Sequence, residues 1–523
     1  MRVRVRLGWN LNLFLFLIAI LLVAPAVLGF AGQDDSSWPI LTPKPGPQAR
    51  INGPKIYGAR PGHPFLYRIP CTGMRPMRFS VDGLPASLHL NGKTGIISGS
   101  APERRGDYAL TLHAANRHGK SSRPFKLVVG DLLALTPPMG WNDWYSYYSR
   151  ITDRVIRDAA DAMIASGMAD FGYQYIDMDD CWMRKPGSGD PALGGEQRGP
   201  TGAILPNGHF PDMRALTAYI HARGLKAGLY TGPGPLTCGG YTASYQHERV
   251  DAQQFAAWGF DFLKYDLCSY RKLFPAGTLE DDQRPYRLMG GILGKLDRDV
   301  VFNLCQYGRH AVWDWGAEVN GNLWRTTGDV GATKGSQLPG FYKVGFSNAR
   351  HFAAAGPGHW NDPDYILIGY VGNAFHAQDP PALTALTPDE QYSYMSMWSL
   401  EAAPLFYSGV MTRLDAFALN ILCNAEVIDI DQDVLGRQAS IVRQTDGEFV
   451  LAKPLEDGSL AVGLFNLEAT PQKLTVTWSD LGLHGGYHIR DVWRQKPLGE
   501  SGEAFSADVN PHGVAYIHLT PGA

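Results

Sequence analysis

Between residues 135 and 437 the chain repeats one unit: a short apolar run that ends in polar residues, followed by a stretch with helical spacing. The runs are "MGWNDW", "YQYIDMDD", "KAGLYTG", "FDFLKYDLC", "VVFNLCQYG", "LWRTTGDV", "HWNDPDYILIG" and "PLFYSGVM". Between them lie "TDRVIRDAADAMIASGM", "MRALTAYIHARG", "DAQQFAAWG", "YRLMGGILGKLD", "FSNARHFAAAG" and "DEQYSYMSMWSLEAA". Eight strands, each followed by a helix or helical turn, fit a (β/α)8 TIM barrel. A doubly wound parallel sheet would show the same alternation, but it needs a glycine-rich phosphate loop after its first strand. "MGWNDW" supplies none.

On either side the pattern changes to period two. Residues 45–131 contain "YALTLHAA" and "FKLVVG" among the breakers "DG", "NG" and "TG", which predicts a small β-sandwich. It resembles the immunoglobulin-like (Ig-like) domain appended to bacterial exported enzymes, where it serves as a spacer or packing partner; direct carbohydrate binding is the alternative. Residues 438–523 carry "FVLAKPL", "LAVGLFNL", "KLTVTW", "YHIRDVW" and "GVAYIHLT", and predict an antiparallel β-sandwich packed on the barrel. The chain is therefore expected to be multidomain.

Residues 1–31 have three arginines, an apolar run and then small residues, the pattern of a signal peptide, with an uncleaved membrane anchor as the alternative. Export to the periplasm or outside the cell follows from the first reading, with no membrane association after cleavage. The net charge of −3 and the interspersed signs exclude the basic stripe that nucleic acid requires. The six cysteines are scattered, no CxxC or HExxH is present, and the fifteen histidines do not cluster, so neither a metal nor another cofactor is expected.

In a barrel of this kind the active site lies at the C-terminal ends of the strands. There the chain places Trp144, Asp179, Asp180, Tyr230, Lys264, Asp266, Gln306, Arg325 and Asp329. Carboxylates, a lysine, an arginine and aromatic rings suit a sugar: rings stack on its C–H face and charged groups hold its hydroxyls.

The segments "PPMGWNDW", "YIDMDDCW", "FLKYDLC", "WRTTGD" and "GPGHWNDPDYILIG" resemble, in order, the motifs of the family 27 glycoside hydrolases, the α-galactosidases and α-N-acetylgalactosaminidases. The resemblance implies a retaining exo-acting glycosidase that releases terminal α-D-galactose from oligosaccharides or polysaccharide side chains. It implies Asp266 as nucleophile and Asp329 as acid/base, with their carboxyl groups about 5 Å apart. By the same resemblance Asp179 and Asp180 would bind the 4- and 6-hydroxyls, and Lys264 the 3- and 4-hydroxyls. Arg325 would face the 2-hydroxyl, while Trp144 and Tyr230 shape the pocket wall. Cys238 and Cys268 would form a disulfide, Cys181 and Cys305 would stay free and buried, and Asp362 and Asp364 would hold loops. Gln306 departs from the family's glutamate after strand five, so β-L-arabinopyranose or another α-glycoside remains an alternative substrate. A catalytically inactive sugar-binding protein on the same plan is the alternative of a different class.

Overall fold

The computed structural model describes residues 38–335, 337–372 and 379–522; the signal-peptide reading of residues 1–31 lies outside them. The eight barrel strands are β1 (Met139–Asn142), β2 (Tyr175–Met178), β3 (Lys226–Thr231), β4 (Phe262–Asp266), β5 (Val301–Cys305), β6 (Leu323–Arg325), β7 (Trp360–Asp362) and β8 (Leu405–Tyr407). They pair in parallel in the order β7-β6-β5-β4-β3-β2-β1-β8. The ring closes beyond the end of β7, where Ile366 N–H donates to Phe406 O at 2.7 Å and Ser408 N–H donates to Ile366 O at 3.1 Å. Closure distinguishes this barrel from an open doubly wound sheet. Every residue of β2, β3, β4 and β5 is buried, which is why these strands read as continuous apolar runs. Gly228 on β3 has no room for a side chain, since a Cβ there would collide with the Asp177 carboxylate.

The helices start where their caps dictate. Thr152 accepts from Val155 N–H ahead of Asp153–Ala165, and capping boxes built on Thr278 and Asp281, and on Thr387 and Glu390, open Leu279–Leu293 and Pro388–Leu400. One local reading changes. The helix expected at "FSNARHFAAAG" spans Gly340–Ala349, starting right after Pro339. Buried Phe341, Tyr342, Val344, Asn348 and Ala349 set its face, whereas the apolar-looking "HFAAAG" runs through turns and exposes Phe352. After β5 the described residues form the shorter of the two expected connections, a pair of 3-10 turns at Val312–Asp314 and Gly316–Val319.

The Ig-like unit pairs a four-stranded sheet (Ile56–Ala59, Gly119–Val129, Gly106–Asn116, Arg78–Asp82) with a three-stranded one (Pro64–Arg68, Ile96–Ser100, Leu88–Asn91). Its core includes Phe65, Tyr67, Phe79, Leu112 and Phe125. At the other end of the chain a six-stranded antiparallel sheet from Ser440–Gln444 to Val514–Pro521 is joined by the pair Gln472–Thr477 and Ala504–Val509. Pro388–Leu400 lies between barrel and C-terminal sheet, tied to the latter by Trp493 Nε1–H donating to Ser396 Oγ at 2.8 Å. It is therefore buried on all sides.

The Ig-like unit docks on the barrel face opposite the strand C-terminal ends. Asp299, just before β5, accepts from Arg60 N–H at 3.0 Å and Nε–H at 2.8 Å and pairs with His63 at 2.9 Å. Asp170, just before β2, pairs with Arg75 at 2.7 Å, and Asp429 pairs with Arg123 at 3.1 Å. In each of these contacts the basic side chain comes from the Ig-like unit and the carboxylate from the barrel. Burial alone would raise the Asp299 pKa, but the hydrogen bonds from His63 and Arg60 outweigh it and hold the carboxyl below its ordinary value.

A carboxyl with a depressed folded-state pKa contributes stability that is present above the ordinary value near 4 and lost as pH falls through the depressed one. Asp299→Ala should lower thermal stability at neutral pH by about 1–3 kcal/mol, because it strands the partly buried Arg60 guanidinium and the His63 ring without their acceptor. The deficit relative to wild type should shrink below about pH 4. A variant equal to wild type at pH 7 would refute this account of the interface.

Candidate active site

Period two along β4 turns Lys264 and Asp266 to the same face, and each meets partners from neighbouring strands. Asp266 is 5% exposed. Its Oδ1 accepts from Tyr307 OH at 2.6 Å and its Oδ2 from Tyr230 OH at 3.1 Å. Burial raises the Asp266 pKa, opposed by the Lys264 charge and the Tyr307 hydrogen bond and reinforced by Asp329 and Asp179. Burial pushes both phenols upward as well, so they stay protonated and act as donors.

Lys264 Nζ pairs with Asp179 Oδ2 at 2.8 Å, and both side chains are closed to solvent. The same carboxylate accepts from Asn142 Nδ2–H at 2.9 Å, Tyr365 OH at 3.2 Å and Asp180 N–H at 2.9 Å. Burial alone would lower the Lys264 pKa, but the Asp179 charge dominates and keeps the ammonium protonated. Asp180 accepts from Cys181 N–H at 2.6 Å and Gly239 N–H at 2.7 Å, tying the end of β2 to the loop after β3. Burial raises its pKa to about 7.

The Arg325 guanidinium is buried and its NH2 lies 3.1 Å from both Asp329 Oδ1 and Asp364 Oδ2. Asp364 also accepts from Val330 N–H at 2.9 Å and Tyr145 OH at 2.8 Å. Asp362 accepts from Asp364 N–H at 2.8 Å and Asn303 Nδ2–H at 2.9 Å. These two carboxylates thus hold the loop that carries Asp329. The Asp329 side chain is 28% exposed, the wetter of the two proposed catalytic carboxyls.

Cys238 and Cys268 form a disulfide with their Cα atoms 5.2 Å apart. Cys238 Sγ lies 3.9 Å from Asp266 Oδ2, and Cys268 Sγ lies 3.4 Å from Tyr230 OH, so the bridge forms a wall beside the carboxylate. Cys238, Asp266 and Cys268 are the one group among the described residues with metal-ligand proximity, but both sulfurs are consumed in the disulfide and neither is a thiolate. Cys181 and Cys305 are free and buried.

Trp144 opens a short helix after β1, half-buried, with its ring 4.8 Å from that of Tyr148. Gln306 is fully buried, its Oε1 accepting from Arg309 N–H at 2.7 Å while its Nε2 has no partner among the described residues. The half-buried residue that this loop brings to Asp266 is Tyr307, which sequence reasoning did not place in the site. The available signal was an aromatic followed by glycine at the end of β5, a turn that can swing a ring back over the strand ends.

A closed parallel barrel with carboxylates, phenols and one buried lysine at its C-terminal mouth defines a (β/α)8 glycosidase. Over residues 136–433 the chain matches the alpha galactosidase A model, over 446–519 the alpha galactosidase C-terminal beta sandwich domain, and over 49–130 an Ig domain. The chain belongs to the alpha-galactosidase A (melibiase) family. An alpha-galactosidase of Oryza sativa is 34% identical over 417 residues, covering 79% of this chain and 91% of the relative. One of Cyamopsis tetragonoloba is 35% identical over 394 residues, covering 74% and 87%. The crystal structure of a candidate alpha-galactosidase/melibiase from Bacteroides fragilis superposes with a TM-score of 0.83 at 33% identity, covering 90% of this chain and 98% of that one.

Alkylation of the denatured, unreduced protein should label four thiols, those of Cys71, Cys181, Cys305 and Cys423. Reduction first should add the remaining two. Labelling of Cys238 or Cys268 without reduction would refute the bridge.

Proposed function

We propose that this protein is a retaining exo-α-galactosidase that works by double displacement. One carboxylate oxygen of Asp266 attacks the anomeric carbon as the bond to the leaving oxygen breaks, and Asp329 delivers the proton to that oxygen. Asp329, now anionic, takes a proton from water, whose oxygen attacks the same carbon and frees Asp266. The observation that carries this reading is the asymmetry of the two carboxyls. Asp266 is buried between two phenol donors with Lys264 nearby, while Asp329 is partly exposed on Arg325.

Asp179, Asp180 and Lys264 are assigned to the sugar's hydroxyls, and Trp144 to the pocket wall. Arg325 is assigned to orienting Asp329 beside the 2-hydroxyl. Incoming hydroxyls would share donors and acceptors already aligned at 2.6–2.9 Å, so the site is organised before substrate arrives. Galactoside oligosaccharides or polysaccharide side chains are the expected substrates. Export through an N-terminal signal is proposed on the residue pattern and agrees with a disulfide beside the active site. No helix among the described residues is long and apolar enough to cross a membrane.

Asp266→Asn keeps the shape and removes the anionic nucleophile, so kcat on an aryl α-galactoside should fall by roughly a thousandfold or more with the far-UV spectrum unchanged. Retention of a tenth of the activity would refute the assignment. Asp329→Ala should be far more impaired on a galactosyl oligosaccharide than on a nitrophenyl galactoside, and azide should accelerate the latter by replacing water without needing a base. Equal impairment on both substrates with indifference to azide would remove Asp329 from the role. On a panel of aryl glycosides, kcat/KM for the α-galactoside should exceed that for the β-L-arabinopyranoside; the reverse order would overturn the substrate assignment.

A further inference from the structure

The chain after β5 adopts a conformation that its residues do not favour. Tyr307 has φ +68° and Gly308 +80°, in the left-handed region that is costly for a bulky side chain. Glycine at 308 is required there, because a Cβ would collide with the carbonyl oxygen of Thr326. A tyrosine held in such backbone persists only where the surroundings over-determine it, and they do. Gln306 Oε1 accepts from Arg309 N–H at 2.7 Å, Arg309 Nε–H donates to Asp282 at 2.8 Å, and His310 Nε2 lies 2.8 Å from Gly277 O. The turn is pinned on its outer side, and on its inner side it delivers one group: the Tyr307 hydroxyl, 2.6 Å from Asp266 Oδ1, with the Arg325 guanidinium 5.9 Å from its ring.

We propose that Tyr307 is a positioning residue for the nucleophile, its phenol fixing and stabilising the Asp266 carboxylate, while Gln306 serves to anchor the turn that aims it. The proposal rests on the reading of Asp266 as nucleophile. With Oδ1 held by Tyr307 and Oδ2 by Tyr230, rotation of the carboxylate is restrained and both oxygens face donors. Tyr307 keeps its proton throughout. When Asp266 leaves the anomeric carbon in the second step, the same donor receives the returning negative charge. The other groups around Asp266 are Tyr230 from β3, Lys264 on its own strand, Asp179 from β2, Cys305 from β5, and Arg325 and Asp329 from β6 and its loop. Lys264 favours the anion; Asp179 and Asp329 oppose it. Removal of the Tyr307 donor therefore shifts Asp266 toward protonation.

The test uses two variants of the full chain. Tyr307→Phe keeps the ring and the strained backbone but removes the hydroxyl. Tyr307→Asn accepts left-handed backbone more readily but cannot reach Asp266. Both should lose on the order of tenfold to a hundredfold in kcat, the range expected for one hydrogen bond to a charged group. In both, the acid limb of kcat/KM should move to higher pH by roughly one unit, and KM should change by less than about threefold. A structural role alone would leave the acid limb in place and make the asparagine variant the better enzyme. A parallel reaction of wild type with 5-fluoro-α-galactosyl fluoride, followed by peptide mass analysis, separates the two levels of inference. Label on Asp266 with unshifted acid limbs in both variants would overturn the role of Tyr307 alone. Label on another residue would overturn the nucleophile assignment and this proposal with it.

Discussion

Closure of the parallel sheet is the constraint on which the rest of the structure depends. The hydrogen bonds from Ile366 to Phe406 and from Ser408 to Ile366 convert a sheet with two open edges into a ring, which leaves no unpaired edge. Only in a ring do Asp266 on β4 and Asp329 after β6, far apart in sequence, share one mouth with Asp179, Tyr230 and Arg325. Because every strand points the same way, all of these side chains emerge at the same end. The Ig-like unit meets the barrel at Asp170 and Asp299, which precede strands, and so leaves that mouth clear.

Burying this much charge is expensive, and two sets of ion pairs in the mouth offset part of the cost. Lys264 and Asp179 lie 2.8 Å apart, and Arg325 is shared by Asp329 and Asp364. The same pairs do the orienting. Asp179 is fixed by Asn142, Tyr365 and a backbone N–H as well as by Lys264, which leaves it little freedom to rotate before a sugar arrives. Asp362 and Asp364 extend the arrangement outward, linking Asn303 on β5 and Tyr145 after β1 to the loop that carries Asp329. Preorganisation of this sort places the cost of alignment in folding rather than in each turnover.

The barrel was legible because its strands are buried on both faces and end abruptly in polar residues, a signal that depends only on composition along the chain. "FDFLKYDLC" is the clearest case: Phe262, Leu263 and Tyr265 are core, and Lys264 and Asp266 are the polar side chains it carries to the mouth. The helix at Gly340–Ala349 was displaced in the sequence reading because "HFAAAG" has helical composition, while its actual limit is set by Pro339 and by which residues find the core. The contact of Tyr307 with Asp266 was not legible. It arises from a left-handed backbone at one position and from pins to Arg309, Asp282 and Gly277, none of which leaves a periodic trace. Gln306, which the family pattern marks, spends its carbonyl on the backbone of its own turn.

The central claim, that two carboxyls at one barrel mouth carry out two successive displacements on an α-galactoside, is tested most directly by the stereochemistry of the first product. Proton NMR of the reaction in its first minutes, before mutarotation, distinguishes the anomers of released galactose. Two displacements at one carbon restore its configuration, so the α-anomer should appear first and the β-anomer should grow in only as mutarotation proceeds. Initial release of the β-anomer would mean a single displacement by water, and would contradict the assignment of Asp266 as nucleophile.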